Sequence, residues 1–133
     1  MPARIHVFLC STDTYMQCVQ ERVFGSDAPW PLSIAPGDLC LLHHYECGAV
    51  LGLWRASSSG GRRLKPKLWG GKFPFQVKVE LVSAEPFEVP RSVLETLSVD
   101  PASGRLEDTI DGDRANVLLE GLRAVPQLRD TGV

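Results

Sequence analysis

The sequence predicts an α+β fold, a small mixed sheet that curls into a partly closed barrel with helices against it. Three observations carry this. The run FQVKVELV (75–82) alternates between apolar and polar side chains, the period of a half-buried strand. The stretch YMQCVQERVF has apolar residues at 15, 16, 19, 23 and 24, a helical spacing. The segments follow in the order β-α-β-β-β-α-α, with no repeat and no linker long enough to divide the chain, so strands and helices must share one core.

Element by element, RIHVFLC (4–10) reads as the first strand. STDT then supplies N-cap residues for a helix that runs to Phe24, with Gly25 as its C-cap. SDAPWPLSIAPGD, with three prolines and a tryptophan, is a crossing loop. LCLLHHY and GAVLGLWRAS form two strands joined tightly through ECG, and Trp54 inside the second is a packing residue. SSGGRRLKPKLWGGK reads as a flexible basic loop. In 75–82, Phe75, Val77, Val79 and Leu81 face inward while Gln76, Lys78 and Glu80 face outward. PRSVLETLS is a short helix with Pro90 in its first turn, and Asp111 to Val125 is a terminal helix, apolar at 117, 118, 122 and 125. All 133 residues are expected to form a single domain, with a core over about 4–82 and a helical closure over about 90–125.

Composition is that of a soluble globular protein: 44% hydrophobic and 23% charged. No apolar run approaches the roughly 20 residues that span a bilayer, and MPARIHVFLCSTD lacks signal-peptide features, so a cytoplasmic protein without a membrane role is expected. The four cysteines (Cys10, Cys18, Cys40, Cys47) have no C-x-x-C spacing and read as buried thiols. CLLHHYEC offers Cys40, His43, His44 and Cys47 as conceivable zinc ligands, but a strand there puts Cys40 and His44 on one face and His43 on the other. No metal and no cofactor are expected.

Net charge is −2, yet its distribution is uneven. Between Cys47 and Val79 lie Arg55, Arg62, Arg63, Lys65, Lys67, Lys72 and Lys78 with no acid, while the rest of the chain holds all sixteen acids. Such segregation makes a local positive field on an acidic body, the electrostatic footprint of a nucleic-acid partner. Within this segment Trp69 sits beside Gly70 and Gly71, where a large ring reads as presented rather than buried.

These residues resemble a known family. FLCSTDTYMQCVQERVFG, PGDLCLLHHY, GAVLGLWRASSSGG and WGGKFPFQVKVEL, together covering about 5–82, resemble the development and cell death (DCD) domain of plant proteins. The same segments look like a YTH domain, a reader of N6-methyladenine in RNA, whose W-K-G-[KR]-F motif corresponds to Trp69-Gly70-Gly71-Lys72-Phe73. RLEDTIDGDRANVLLEGLRAV resembles the closing segment of YTH proteins. Both resemblances imply a PUA-like mixed pseudo-β-barrel flanked by helices, of the YTH, DCD and EVE type.

The YTH resemblance also implies an aromatic cage for a methylated base. Trp69 matches its third wall, Phe24 stands where the first tryptophan belongs, and Leu64 occupies the middle wall, five residues before Trp69. Trp30 is a substitute wall, and Asp13 and Thr14 fall where polar base-edge contacts arise, though they serve equally well as helix caps. Arg55, Arg62, Arg63, Lys65, Lys67 and Lys72 are the expected phosphate contacts. No G-x-S-x-G, P-loop or dinucleotide fingerprint is present, so a non-enzyme is expected. The expected function is a module that binds a flipped or single-stranded, possibly methylated base of RNA or DNA. The alternative is a DCD-like protein-interaction or stress-response module.

Overall fold

The structure is a computed structural model that describes residues 3–99 and 101–133. Eight strands form one mixed sheet: β1 (Ile5–Cys10), β2 (Val23–Ser26), β3 (Leu39–His44), β4 (Ala49–Ala56), β5 (Gly61–Arg62), β6 (Phe75–Leu81), β7 (Phe87–Glu88) and β8 (Thr109–Ile110). Their order is β2-β6-β4-β3-β1-β8, with β5 beside β6 and β7 beside β4. β1 and β3 run parallel, and every other named pair is antiparallel. Three α-helices accompany the sheet: α1 (Thr12–Glu21), α2 (Arg91–Leu94) and α3 (Gly112–Arg123). Short 3-10 turns cover Trp30–Ser33, Leu68–Gly71 and Pro126–Leu128.

The sheet is strongly curled. β1 and β2 stand four places apart, about 19 Å if the sheet were flat, yet the Phe8 and Phe24 ring centroids are 5.5 Å apart. This concave face holds one core, in which Phe24 meets Trp54 edge-on at 5.0 Å amid Cys18, Cys40 and Val77. The convex face holds a second core, where α3 lays Ala115, Leu118 and Leu122 against Ile5, Leu41 and Leu53. β1 and β3 are therefore covered on both sides, which is why RIHVFLC and LCLLHHY read as apolar runs rather than clean alternations.

Several expectations are corrected. The first helix stops at Glu21, because Arg22 takes the left-handed conformation (φ 55°) and its N–H closes the turn on the Cys18 carbonyl. Val23 and Phe24, both fully buried, leave the helix to pair with Lys78 and Val77 of β6. Burying two large side chains in the sheet outweighs continuing a helix through them. Gly25 is thus a strand residue and not a cap. In α3, Leu118 and Leu122 are buried as expected but Val117 is exposed. The hairpin at Tyr45–Gly48 and the strand at Phe75–Leu81 match the reading of the sequence.

Gln76 keeps the alternation of β6 but is only 1% exposed, where an outward-facing, solvated side chain is expected. Its Oε1 accepts from the Lys65 N–H at 2.7 Å, and its Nε2 donates to the carbonyls of Lys65 (3.2 Å) and Phe73 (3.1 Å). The Arg63 N–H reaches the Pro74 carbonyl, and β5 pairs with β6. The basic segment that reads as a flexible loop is therefore clamped at several points to the strand beside it.

Candidate nucleic-acid interface

β8 covers β1 only at Ile5 and His6, so the edge of β1 from Phe8 onward has no strand partner. A cavity of about 240 Å³ opens along this edge. Its floor comes from Leu9 and Cys10, and one end from Ser11 and Thr14, where the strand turns into α1. Gly25, Ser26 and Asp27 line it as well, and Trp30 and Phe73 are aromatic residues of its lining. Tyr45 and Arg105 reach the mouth. The volume lies below the roughly 300–1,000 Å³ of pockets for drug-sized ligands, a size suited to one flat ring system.

Each wall is braced. Trp30 begins a 3-10 turn whose N-terminal prolines fix the chain direction. Its ring packs on Phe8 at 4.6 Å and lies nearly parallel to His6 at 6.2 Å. His6 is fully buried, with Nε2 2.9 Å from the Asp38 carboxylate and Nδ1 3.2 Å from the Thr109 hydroxyl. Burial pushes its pKa down, partly offset by the hydrogen bond and charge of Asp38. The neutral ring thus links β1 to β8 and to Asp38, the residue before β3, beneath Trp30. Burial pushes the Cys10 thiol up to about 12, so it stays neutral and serves as a nonpolar patch of the floor.

Trp69 does not line the cavity. Its backbone is left-handed (φ 54°), as are Gly70 and Gly71, a conformation that costs a non-glycine residue about 1–3 kcal/mol. The half-buried ring packs edge-on against Phe73 at 5.6 Å and covers Gly25 so closely that a Cβ there would lie 2.6 Å from Cζ3. Its Nε1 is buried without a hydrogen-bond partner. Trp69 therefore holds Phe73 in place from behind, instead of standing free at a glycine hinge.

Of the residues expected at a base site, Trp30 and Thr14 come together in the cavity. Thr14 also caps α1, its Oγ1 accepting from the Ser11 N–H at 2.9 Å, as the capping reading of this residue expects. Asp13 is exposed in the first turn of α1, where its charge suits the helix dipole, and does not line the cavity. Phe24 is fully buried in the concave core and forms no wall. Leu64 packs over Gly61 in the clamped basic segment.

The six expected phosphate contacts do not converge. Lys72 adjoins Phe73, and Arg62 stacks on Phe75, the β6 partner of Ser26, with 5.0 Å from guanidinium carbon to ring centre. These two neighbour cavity-lining residues in the chain or the sheet, but neither lines the cavity itself. Lys65 pairs with Glu21 at 3.1 Å, and Lys67 lies beside it on the far side of the segment. Arg63 is exposed there as well. Arg55 pairs with Leu39, which faces Ile5, and so sits about 16 Å along β1 from the cavity end. The missed residues include Ser11, Ser26, Asp27, Tyr45, Phe73 and Arg105; Ser11, Tyr45, Phe73 and Arg105 all stand in the segments that carry the family resemblance, but nothing there marks them as site residues.

Among the described residues no group of three or more His, Cys, Asp or Glu is arranged to hold a metal ion. Cys40 is fully buried on the concave side while His43 faces the other way, and no helix among those residues is long and apolar enough to cross a membrane.

The curled mixed sheet is the fold of solved YTH domains. The chain aligns with the YTH domain of Pho92, solved in complex with N6-methyladenosine, with a TM-score of 0.59 at 16% identity, covering 93% of this chain and 85% of that one. It aligns with the YTH domain of Zygosaccharomyces rouxii MRB1, solved with N6-methyladenosine RNA, with a TM-score of 0.60 at 18% identity over 91% and 85%. By sequence, residues 5–93 match the development and cell death domain model, and the chain belongs to that family. It is 30% identical over 105 residues to the DCD domain-containing protein NRP-A of Glycine max, covering 71% of this chain and 26% of that protein. It is 30% identical over 84 residues to the B2 protein of Daucus carota, covering 56% and 41%. The chain thus spans well under half the length of these relatives.

Proposed function

We propose that this chain is a nucleic-acid reader that holds one unpaired base of RNA between Trp30 and Phe73, on a PUA-like scaffold. The observation that carries the reading is the cavity itself: two aromatic walls, hydroxyls of Ser11 and Thr14 at one end, and a cation at the mouth. A base offers a flat face to the rings and polar edges to the hydroxyls, and stacking on aromatic side chains is worth about 1–3 kcal/mol per base. The likeness of the fold to YTH domains solved with methylated adenosine supports the choice of ligand. An apolar methyl on the base edge suits the floor of Leu9 and Cys10, so N6-methyladenine is the favoured base. With Phe24 in the core and Leu64 elsewhere, the cavity has Trp30 and Phe73 beside the base and Tyr45 at the mouth, and selectivity for the methyl group is modest.

Flipping a base out of a duplex costs a few kcal/mol, so single strands bind best. Titration of intrinsic tryptophan fluorescence with single-stranded RNA, methylated and unmethylated, tests the reading. Saturable quenching by both, stronger for the methylated strand, is expected. An unchanged spectrum at all concentrations would sink it in favour of a protein-interaction role.

A further inference from the structure

Beside the base cavity lies a second hollow of about 420 Å³, bounded by Leu9, His43, Tyr45 and Arg105. Tyr45 and Arg105 line both, so one ring and one cation form the partition between them. We propose that this hollow is a second nucleotide subsite, which stacks the base next to the one in the cavity on Tyr45, reads its edge with His43, and holds the phosphate between them with Arg105. The proposal deepens the base-reading function above and rests on it.

Four features point to a ligand there. The Tyr45 ring is 57% exposed, the most exposed large hydrophobic residue among those described, although the hairpin that carries it is well fixed. A free aromatic face on a rigid turn is a stacking platform with little left to order. His43, only 7% exposed, lines the hollow, and its Nδ1 is buried with no hydrogen-bond partner. Burial and the neighbouring His44 push its pKa down, so the ring is neutral and offers one donor and one acceptor to a base edge.

The third feature is Arg105. Among the described residues its guanidinium has no hydrogen bond and no ion pair, although acids are plentiful in this half of the chain. The loop that carries it is nonetheless built to hold it. Val99 bridges to Leu106, the Ser98 N–H donates to Glu107 at 2.7 Å, and Glu107 is paired with Arg114. A cation left free on an anchored loop and shared by the two hollows is placed to meet a phosphate between two bases. The fourth feature is the rim. Gly48 (φ 79°) and Gly104 (φ 71°) both take the left-handed conformation, and a Cβ at either would meet nothing within 4 Å. The hollow is open to a chain passing over it.

The test compares an N6-methyladenosine nucleoside with a five-nucleotide single-stranded RNA carrying that base at its centre. The parent protein should bind the RNA at least tenfold more tightly than the nucleoside. Tyr45→Ala should remove most of this gain, and Arg105→Ala should reduce it and lower the salt slope of RNA binding by about one. His43→Phe should alter the ranking of RNAs that differ in the base beside the central one. The proposal fails if the nucleoside binds but the RNA binds no better, or if Tyr45→Ala weakens both ligands by the same factor. If neither ligand binds the parent protein, the base-reading function itself falls, and this subsite with it.

Discussion

Gly60→Ala is the substitution with the clearest structural consequence. The Gly60 N–H donates to the Ile34 carbonyl at 3.0 Å, which seats the basic segment directly on the 3-10 turn that carries Trp30. A Cβ on residue 60 would fall 1.6 Å from the Pro31 carbonyl oxygen and 2.6 Å from its carbon. Ordinary contact requires about 3.5 Å, so the two backbones must part by roughly 1.5–2 Å. Neither atom belongs to a flexible side chain, and relief must come from moving the turn or breaking the Gly60–Ile34 bond. Overpacking costs about 1–3 kcal/mol, and losing the hydrogen bond adds about 1 kcal/mol. Urea denaturation should show a loss of 2–4 kcal/mol (about the sum of these two). Because Trp30 moves with the turn, RNA affinity should fall even in the folded fraction. Denaturation at the parent's midpoint would refute the apposition of these two segments, and with it the account of how Trp30 is placed.

Gly25→Ala should push the Trp69 ring off its seat, shifting the tryptophan emission and weakening base binding through Phe73, while costing less stability than Gly60→Ala. An emission spectrum identical to the parent's would show that Trp69 does not rest on Gly25. Gln76→Ala leaves the Lys65 N–H and two carbonyls without partners, at about 1–3 kcal/mol each where they stay buried. Hydrogen exchange at Lys65 and proteolysis of the 63–74 segment should both accelerate, and unchanged rates would disprove the clamp. His6 and His43 are both held below their ordinary pKa by burial, so the unfolded chain takes up protons first. Stability should be complete above pH about 6.5 and decline as pH falls below it, by at most about 1.4 kcal/mol per pH unit for each histidine. Stability that is flat between pH 7.5 and 5.5, or that rises on acidification, would contradict this.

The parts of the fold that were legible are those with local periodicity. The alternation of 75–82, the helical spacing after STDT and the ECG hairpin each carry their signal within ten residues. β5, β7 and β8 are two residues long, too short for any period to register, and exist because a neighbouring strand pairs with them. β2 was hidden differently: Val23 and Phe24 extend the spacing of α1, and only the partner strand β6 decides that they leave the helix. Gln76 obeys the alternation of β6, but the face it shares is covered by a folded-back segment that composition alone reads as mobile.

The site was legible in its aromatic and hydroxyl character more than in its membership. Trp30 and Thr14 are expected site residues that line the cavity, whereas Trp69 lies outside it and packs on Phe73, which does line it. Tyr45 and Arg105 were not found, since each is a single residue on a separate loop, brought to the cavity by topology. Arg105 lies in the acidic half of the chain, where the clustering of charge drew the eye elsewhere.

The most direct test of the central claim is the dissociation constant for a single-stranded RNA containing N6-methyladenosine, measured for the parent protein and for Trp30→Ala. Trp30 is half-buried and packs on Phe8 and His6, so the variant loses some stability, and the two proteins are compared at a temperature where circular dichroism shows both folded. Loss of one stacking wall should raise the dissociation constant about ten- to hundredfold. Equal binding by the two proteins would contradict the account, leaving the cavity without a base.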